Sequence, residues 1–223
     1  MKIPTKISVS KLYPGILDEY EGEMLRSERA EFMEKPLFLG QSSKVTAADR
    51  GTATHLFMQF CDFERTLSEG IDSEIERLVR ERYITGEAAS IMYRDKLRVF
   101  FEGDLCKEIC SAKKVIREKR FNASLEAAQF VEDENVKKEL YGETVLVQGV
   151  IDCLIMREDG TYKLIDYKTD YVDASLGKEG ESILRERYRT QLSYYKEAVE
   201  MITGGVVKEL VIYSFSLGKQ ISI

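Results

Sequence analysis

Two acidic residues stand where an apolar side chain would be expected. In the stretch GVIDCLIMREDGTYKLIDYKTD, residues 149–170, Asp152 and Asp166 each interrupt a run of Val, Ile, Leu and Met, and Lys168 follows Asp166 by two positions. Such runs read as strands buried on both faces. A carboxylate inside one is costly unless it is paired or holds a metal. Two carboxylates on adjacent strands, with a lysine on the same face as the second, suit a hard divalent cation and an anionic substrate. The expected ion is Mg²⁺, with Mn²⁺ as an alternative. It would polarise a phosphate oxygen and acidify a bound water, and Lys168 would hold that water or the developing charge. The chemistry expected is phosphodiester hydrolysis. The competing reading is a buried Asp152–Lys168 ion pair, which leaves Asp166 without a partner.

Register makes this a geometric expectation. A two-residue turn at Asp159-Gly160 would set Asp152 opposite Tyr167 and send Asp166 to the other face. A three-residue loop, Glu158-Asp159-Gly160 with Gly160 left-handed, pairs Arg157 with Thr161 and sets Asp152 directly across from Asp166. Only that parity makes a metal site, so the odd-numbered loop is predicted.

Other candidates come from farther along the chain. His55, the single histidine, follows Gly51 by one helical turn; by its own residues it reads equally as a structural or a functional side chain. A helical stripe runs Leu184, Tyr188, Gln191, Tyr195, Val199 and Ile202. Gln191 is its polar exception and could reach a metal-bound water or a phosphate, and Tyr195 would pack with its hydroxyl toward the site. Glu118 is a further acidic candidate on a strand. Lys178, Arg185, Arg187 and Arg189 are the local phosphate-contacting candidates, any of which could equally be part of a solvated face. Asp170 and Asp173 read as loop and turn formers.

These residues need elements to hold them. Residues 1–41 contain all three prolines and read as an approach segment or linker. Residues 42–223 read as the catalytic domain, with a helical part over 46–111 and an α/β core over 112–223. Thr46 is placed to cap a first helix whose small residues (Ala47, Ala48, Gly51, Ala53) allow close packing. Further helices are expected over 71–82, 86–93 and 94–111. Strands are expected over 115–125, 144–156 and 161–168, then a helix over about 182–203, a strand at KELVIYSFSL and a short tail. The fold class predicted is α/β, a central mixed sheet flanked by helices.

Composition narrows the class. At 223 residues, 43% hydrophobic and 32% charged, the chain can bury one sizeable core. The net charge of −6 argues against a protein that coats DNA by itself. No apolar run suits a membrane span and the N-terminus has no signal core, so an intracellular, cytoplasmic protein is expected. Cys61, Cys106, Cys110 and Cys153 show no CxxC pair and read as reduced, with neither disulfides nor zinc.

At these residues the chain resembles the RecB-like branch of the PD-(D/E)XK nucleases. More narrowly, it looks like the C-terminal nuclease domains of AddA-type (RexA) helicase–nucleases. The matching pieces are GTATHLFMQ with His55, GVID ending at Asp152, DYKTD with Asp166, Lys168 and Asp170, and QLSYY with Gln191, Tyr194 and Tyr195; PTKISVS and KPLFLG extend the likeness over nearly the whole chain. The resemblance implies a PD-(D/E)XK core and a metal held by His55, Asp152, Asp166 and the Tyr167 backbone carbonyl. It implies a catalytic Lys168, with Gln191 and Tyr195 in support. It further implies cleavage of single-stranded DNA unwound from a duplex end in double-strand-break repair and recombination, beside an AddB-like partner and a helicase motor elsewhere in a longer polypeptide. No G-x-x-x-x-G-K-[ST] loop occurs, so no ATP site is expected in this chain. No cysteine follows Cys153, so no iron–sulfur cluster is expected. Two other readings stay open: a docking or DNA-gripping module inactive by itself, and a stand-alone nuclease of the same superfamily.

Overall fold

The computed structural model describes residues 6–8, 45–131 and 133–223. The approach segment expected over 1–41 lies outside these, except for a short strand β1, Lys6–Ser8. The chain forms two compact units: the larger comprises Val45–Phe121 and Val150–Ile223, and the smaller joins Asn122–Gly149 to the N-terminal residues.

The larger unit begins with six helices. In α1 (Ala47–Phe60) the Thr46 hydroxyl accepts from the Asp49 amide, and the Asp49 carboxylate accepts from the Thr46 amide at 2.8 Å. This reciprocal cap satisfies two amides that the first turn leaves free. Next come α2 (Phe63–Glu69), α3 (Ile71–Arg80) and α4 (Gly86–Ile91). Helix α2 adds to the helices expected from sequence; Asp62 caps it through the Arg65 amide at 3.0 Å, and Gly70, at φ 89°, ends it. The single helix expected over 94–111 is two, α5 (Arg94–Glu102) and α6 (Asp104–Ser111). Gly103 takes an extended ψ between them, and a Cβ there would sit 3.2 Å from the Phe100 carbonyl oxygen. Glycine is the weakest helix former after proline, and here its missing side chain lets the two helices turn tightly.

The sheet follows. Its strands are β2 (Lys114–Glu126), β3 (Thr144–Met156), β4 (Tyr162–Lys168), β5 (Val207–Ser214) and β6 (Lys219–Ser222). Strand β4 is antiparallel to β3 and parallel to β5, and β5 is antiparallel to β6. The mixed α/β sheet is as expected; the strand β6 is an addition, because KQISI reads from sequence as a tail. Gly218, at φ 65°, closes the β5–β6 turn, its amide donating to the Ser214 carbonyl at 2.8 Å.

A long helix spans Lys178–Thr203. It starts four residues earlier than expected and is α8 once the short α7 of the smaller unit (Glu134–Glu139) is counted. It buries Leu184, Leu192, Tyr195, Ala198 and Val199, while Ile202, placed in the stripe from sequence, is exposed. In the smaller unit β1 pairs in parallel with β3, Ile7 opposite Val147. There the segment after β2 forms a 3-10 turn at Ala127–Phe130.

One core matters most for the site. Cys153, Ile155, Ile165, Tyr167, Tyr213 and Phe215 pack against the helical part, in one cluster with Phe57, Leu97, Phe100 and Phe101. Phe100 stands edge-on to Tyr167 at 5.7 Å and to Tyr213 at 4.8 Å. Such contacts add about 0.5–1.5 kcal/mol each beyond the area they bury. Because side chains alternate along a strand, anchoring Tyr167 to the helices turns Asp166 and Lys168 to the opposite face.

Candidate active site

The hairpin loop is three residues. The Arg157 amide donates to the Thr161 carbonyl at 2.9 Å and the Gly160 amide to the Arg157 carbonyl at 3.0 Å, with Gly160 at φ 80°. The ladder reads Met156 opposite Tyr162, through to Cys153 opposite Ile165. Continued by one residue, this register sets Asp152 across from Asp166. The pairing opens there, and the Tyr167 amide donates to Asp152 Oδ2 at 2.8 Å instead of to a carbonyl of β3.

The two carboxylates have different surroundings. Asp166 is buried, its side chain 3% exposed, with Oδ2 2.7 Å from the Lys168 ammonium. That contact is short but poorly aligned: Asp166 Oδ2 has no hydrogen-bond partner of acceptable geometry. We take the pair as a charge contact that leaves an acceptor orbital free. Asp152 is pushed well above the usual carboxylate range, first by burial and then by the Asp166 charge, with the Tyr167 amide and Lys168 opposing. The alternative Asp152–Lys168 ion pair is not formed, because Lys168 turns to Asp166.

His55 reaches this edge from α1. Its Nδ1 lies 3.8 Å from Asp152 Oδ2, and the side chain is 33% exposed. Burial lowers its pKa, against the pull of Asp166 and a hydrogen bond to the Tyr167 backbone. The imidazole is therefore held neutral with a lone pair to give. Helix α1 comes this close because Gly51 has no side chain: a Cβ there would stand 2.6 Å from Thr169 Oγ1.

Helix α8 completes the arrangement. Lys168 donates to Gln191 Oε1 at 3.2 Å, and Gln191 Nε2 donates to the Tyr195 hydroxyl at 3.2 Å. Tyr188 reads from sequence only as part of the apolar stripe, yet its ring lies 4.4 Å beneath the Lys168 ammonium and its hydroxyl donates to Asp170 at 2.7 Å. Its position three residues before Gln191, on the same helical face, is the signal that the sequence offers. Asp173 caps the 3-10 turn at Ala174–Leu176. Of the four basic candidates, Arg187 approaches Asp170 at 3.6 Å, Arg189 pairs with Glu186 and Arg185 donates to the Ser222 carbonyl. None of these three contacts the carboxylate pair.

Glu118 sits in β2 at φ 49°, a left-handed value rare for a residue with a side chain. Arg117, just before it, donates to the Met58 and Cys61 carbonyls of the helical part, whereas the Phe121 ring stands edge-on to Tyr195 of α8 at 5.7 Å. Residues four apart on a regular strand share a face, so the strand reverses parity between them, and Glu118 marks the place. Burial raises its pKa, and its charge is felt by Asp152 and Tyr195.

A model of the PD-(D/E)XK nuclease superfamily matches residues 25–219. The chain belongs to that superfamily. Within it, the chain is 38% identical over 224 residues to the A subunit of an ATP-dependent helicase/nuclease of Clostridium botulinum (strain Langeland), covering 99% of this chain. It is 33% identical over its full length to the protein of the same name from Clostridium novyi (strain NT). It spans only 17% and 18% of those relatives' lengths. PD-(D/E)XK nucleases generally use divalent metals. The donors at this site fit one: two carboxylates on one face, a neutral imidazole beside them, and a buried Asp166 oxygen without a hydrogen bond. Among the described residues, no three His, Cys, Asp or Glu side chains converge into a ready-made metal cluster. None of the described helices is long and apolar enough to cross a membrane.

Proposed function

We propose that this domain hydrolyses phosphodiester bonds in single-stranded DNA. It would do so as the nuclease portion of an AddAB-type helicase–nuclease in the cytoplasm, on strands unwound by a motor in the rest of the polypeptide and beside an AddB-like partner. The observation that carries the reading is the placement of Asp152 and Asp166 on one face with Lys168 between Asp166 and Gln191. Asp152, Asp166, His55 and the Tyr167 carbonyl would hold Mg²⁺, or Mn²⁺ in its place. Bound there, the ion would supply Lewis acidity toward a phosphate oxygen and a more acidic water.

The chain's own residues do the positioning. Lys168, held by one carboxylate, one amide oxygen and the Tyr188 ring, can stabilise negative charge on the phosphate without reorganising. Gln191 is oriented by Tyr195, so its oxygen stays turned to Lys168. Asp152 binds its proton more tightly than an ordinary carboxyl does, so metal and proton compete there.

The test is incubation of the purified protein with end-labelled single-stranded DNA and Mg²⁺. Shortened products that disappear on chelation support the reading, and intact DNA would overturn it for the isolated chain. The net charge of −6 keeps a second reading in view, a module that grips DNA and cuts only within its complex. Retention of the labelled strand without cleavage is its signature.

A further inference from the structure

In its helical part, the larger unit carries two cations that have no acidic partner among the described residues. A cavity of about 370 Å³ is lined by Arg50, Tyr93, Arg94, Asp95, Lys96 and Arg98 among others, with Asp95 paired to Arg98 at 2.6 Å. Arg94 and Arg98 are bound by Asp72 at 2.7 and 2.8 Å. Arg50 and Lys96 have no carboxylate within ion-pair distance among the described residues. Both sit over the Tyr93 ring instead, at 5.9 and 4.2 Å from its centroid. Burial lowers the Lys96 pKa with nothing to offset it. The backbones of Arg50 and Tyr93 are tied together: Thr54, fully buried, accepts from the Tyr93 amide at 3.2 Å and donates to the Arg50 carbonyl at 2.8 Å.

Its location links it to the site. Strands β4 and β5 are parallel and end side by side at Lys168 and Ser214. Ligands of open α/β sheets bind outside the carboxyl ends of such strands. Lys96 also lines a second cavity, of about 290 Å³, whose other wall is Phe215–Gly218 just beyond β5. Gly51, next to Arg50, is the residue pressed against Thr169 just beyond β4. Arg50 and Lys96 thus lie, on the helical side, near the carboxyl ends of β4 and β5, the end at which β4 carries Asp166 and Lys168.

We propose that the Arg50–Tyr93–Lys96 cavity binds the phosphodiester backbone of the single strand on its way to the Asp166–Lys168 centre. This rests on the nuclease reading above. Two unpaired cations steadied by an aromatic ring are suited to phosphate, and their counter-charge would arrive with the substrate.

The test is binding of fluorescent oligodeoxythymidylate to the full chain in chelator, by anisotropy across a series of KCl concentrations, followed by steady-state cleavage in Mg²⁺. Each lost single-strand phosphate contact should lower the salt slope by about 0.7. Arg50→Gln with Lys96→Gln should therefore lower it by about 1.4 and raise KM, with kcat kept. The single variants should each give half that change, and they carry the test if the double variant does not fold. Lys107→Gln, which removes an exposed cation paired with Asp104, should behave as the parent. Unchanged affinity and slope in the Arg50 and Lys96 variants would overturn the proposal. So would an equal loss in Lys107→Gln, or a fall in kcat at constant affinity. If the parent cuts DNA and the Arg50 and Lys96 variants match it, the cavity assignment alone fails. If the parent neither binds nor cuts, the nuclease reading fails and takes this one with it.

Discussion

Asp152 Oδ2 accepts the backbone amide of Tyr167 at 2.8 Å, at the point where the β3–β4 ladder ends. One carboxylate oxygen thus replaces a strand carbonyl, and the opened ladder presents the Tyr167 peptide to the site. Replacing Asp152 with Ala removes that acceptor and leaves a part-buried amide unpaired, at a cost of about 1–3 kcal/mol. Asn keeps an acceptor. Thermal melts in chelator should therefore rank Asp152→Asn well above Asp152→Ala, with neither cleaving DNA. Equal melting temperatures would mean the bond is incidental.

The raised pKa of Asp152 predicts a pH dependence with a definite sign. Below its ordinary value of 3.8 the carboxyl is protonated in both folded and unfolded chains and contributes nothing. Above that value the unfolded chain ionises first, so folded stability falls as pH rises, until the folded carboxyl ionises too. In chelator, Asp152→Asn should therefore be more stable than the parent at neutral pH, with the gap closing toward pH 3.8. Added Mn²⁺ should stabilise only the parent. A gap that widens on acidification would contradict the shift.

Lys168 and Asp166 must be changed together to separate chemistry from folding. Lys168→Ala would leave the buried Asp166 carboxylate uncompensated, at roughly 3–5 kcal/mol. Lost activity in that variant would be ambiguous. Asp166→Asn combined with Lys168→Met should recover most of the melting temperature and still show no cleavage. Lys168→Met alone should lower kcat by about 10²–10³, measured where the variant remains folded.

Gly51→Ala tests the close approach of α1. Its Cβ would meet Thr169 Oγ1 at 2.6 Å, so the helix or the strand end must shift. An overpacked contact costs about 1–3 kcal/mol. The shift would also carry His55 away from Asp152. Adding Thr169→Ser keeps the clash, whereas adding Thr169→Ala removes it. Rescue of both melting temperature and cleavage by Thr169→Ala alone is the expected pattern.

The Tyr167 hydroxyl is buried without a hydrogen bond of acceptable geometry; its neighbour is the soft Cys153 thiol. Tyr167→Phe should therefore be neutral or stabilising by up to about 1 kcal/mol. It should also preserve cleavage, because the site calls only on the Tyr167 backbone. Loss of activity in that variant would assign the hydroxyl a role that this geometry does not.

Much of the site is local, and for that reason legible in the residues. Asp152, Asp166 and Lys168 lie within 17 positions, and the odd loop followed from the chemistry: Asp159-Gly160 alone also suits a two-residue turn, but only the three-residue loop sets both aspartates on one face. The Thr46 cap and the small residues of α1 were equally readable, since a helix start and a close approach depend on neighbours in sequence. The split of α5 from α6 at Gly103 was not, because carbonyls packed against that glycine decide it. The parity reversal in β2 at Glu118 was also hidden: it arises when one strand must serve the helical part through Arg117 and α8 through Phe121. Tertiary structure alone made Asp166 the partner of Lys168, set Tyr188 beneath that ammonium, and gathered Arg50, Tyr93 and Lys96 near the carboxyl ends of β4 and β5. Those outcomes depend on distance in space between elements, and sequence spacing encodes that distance only within a single helix, strand or turn.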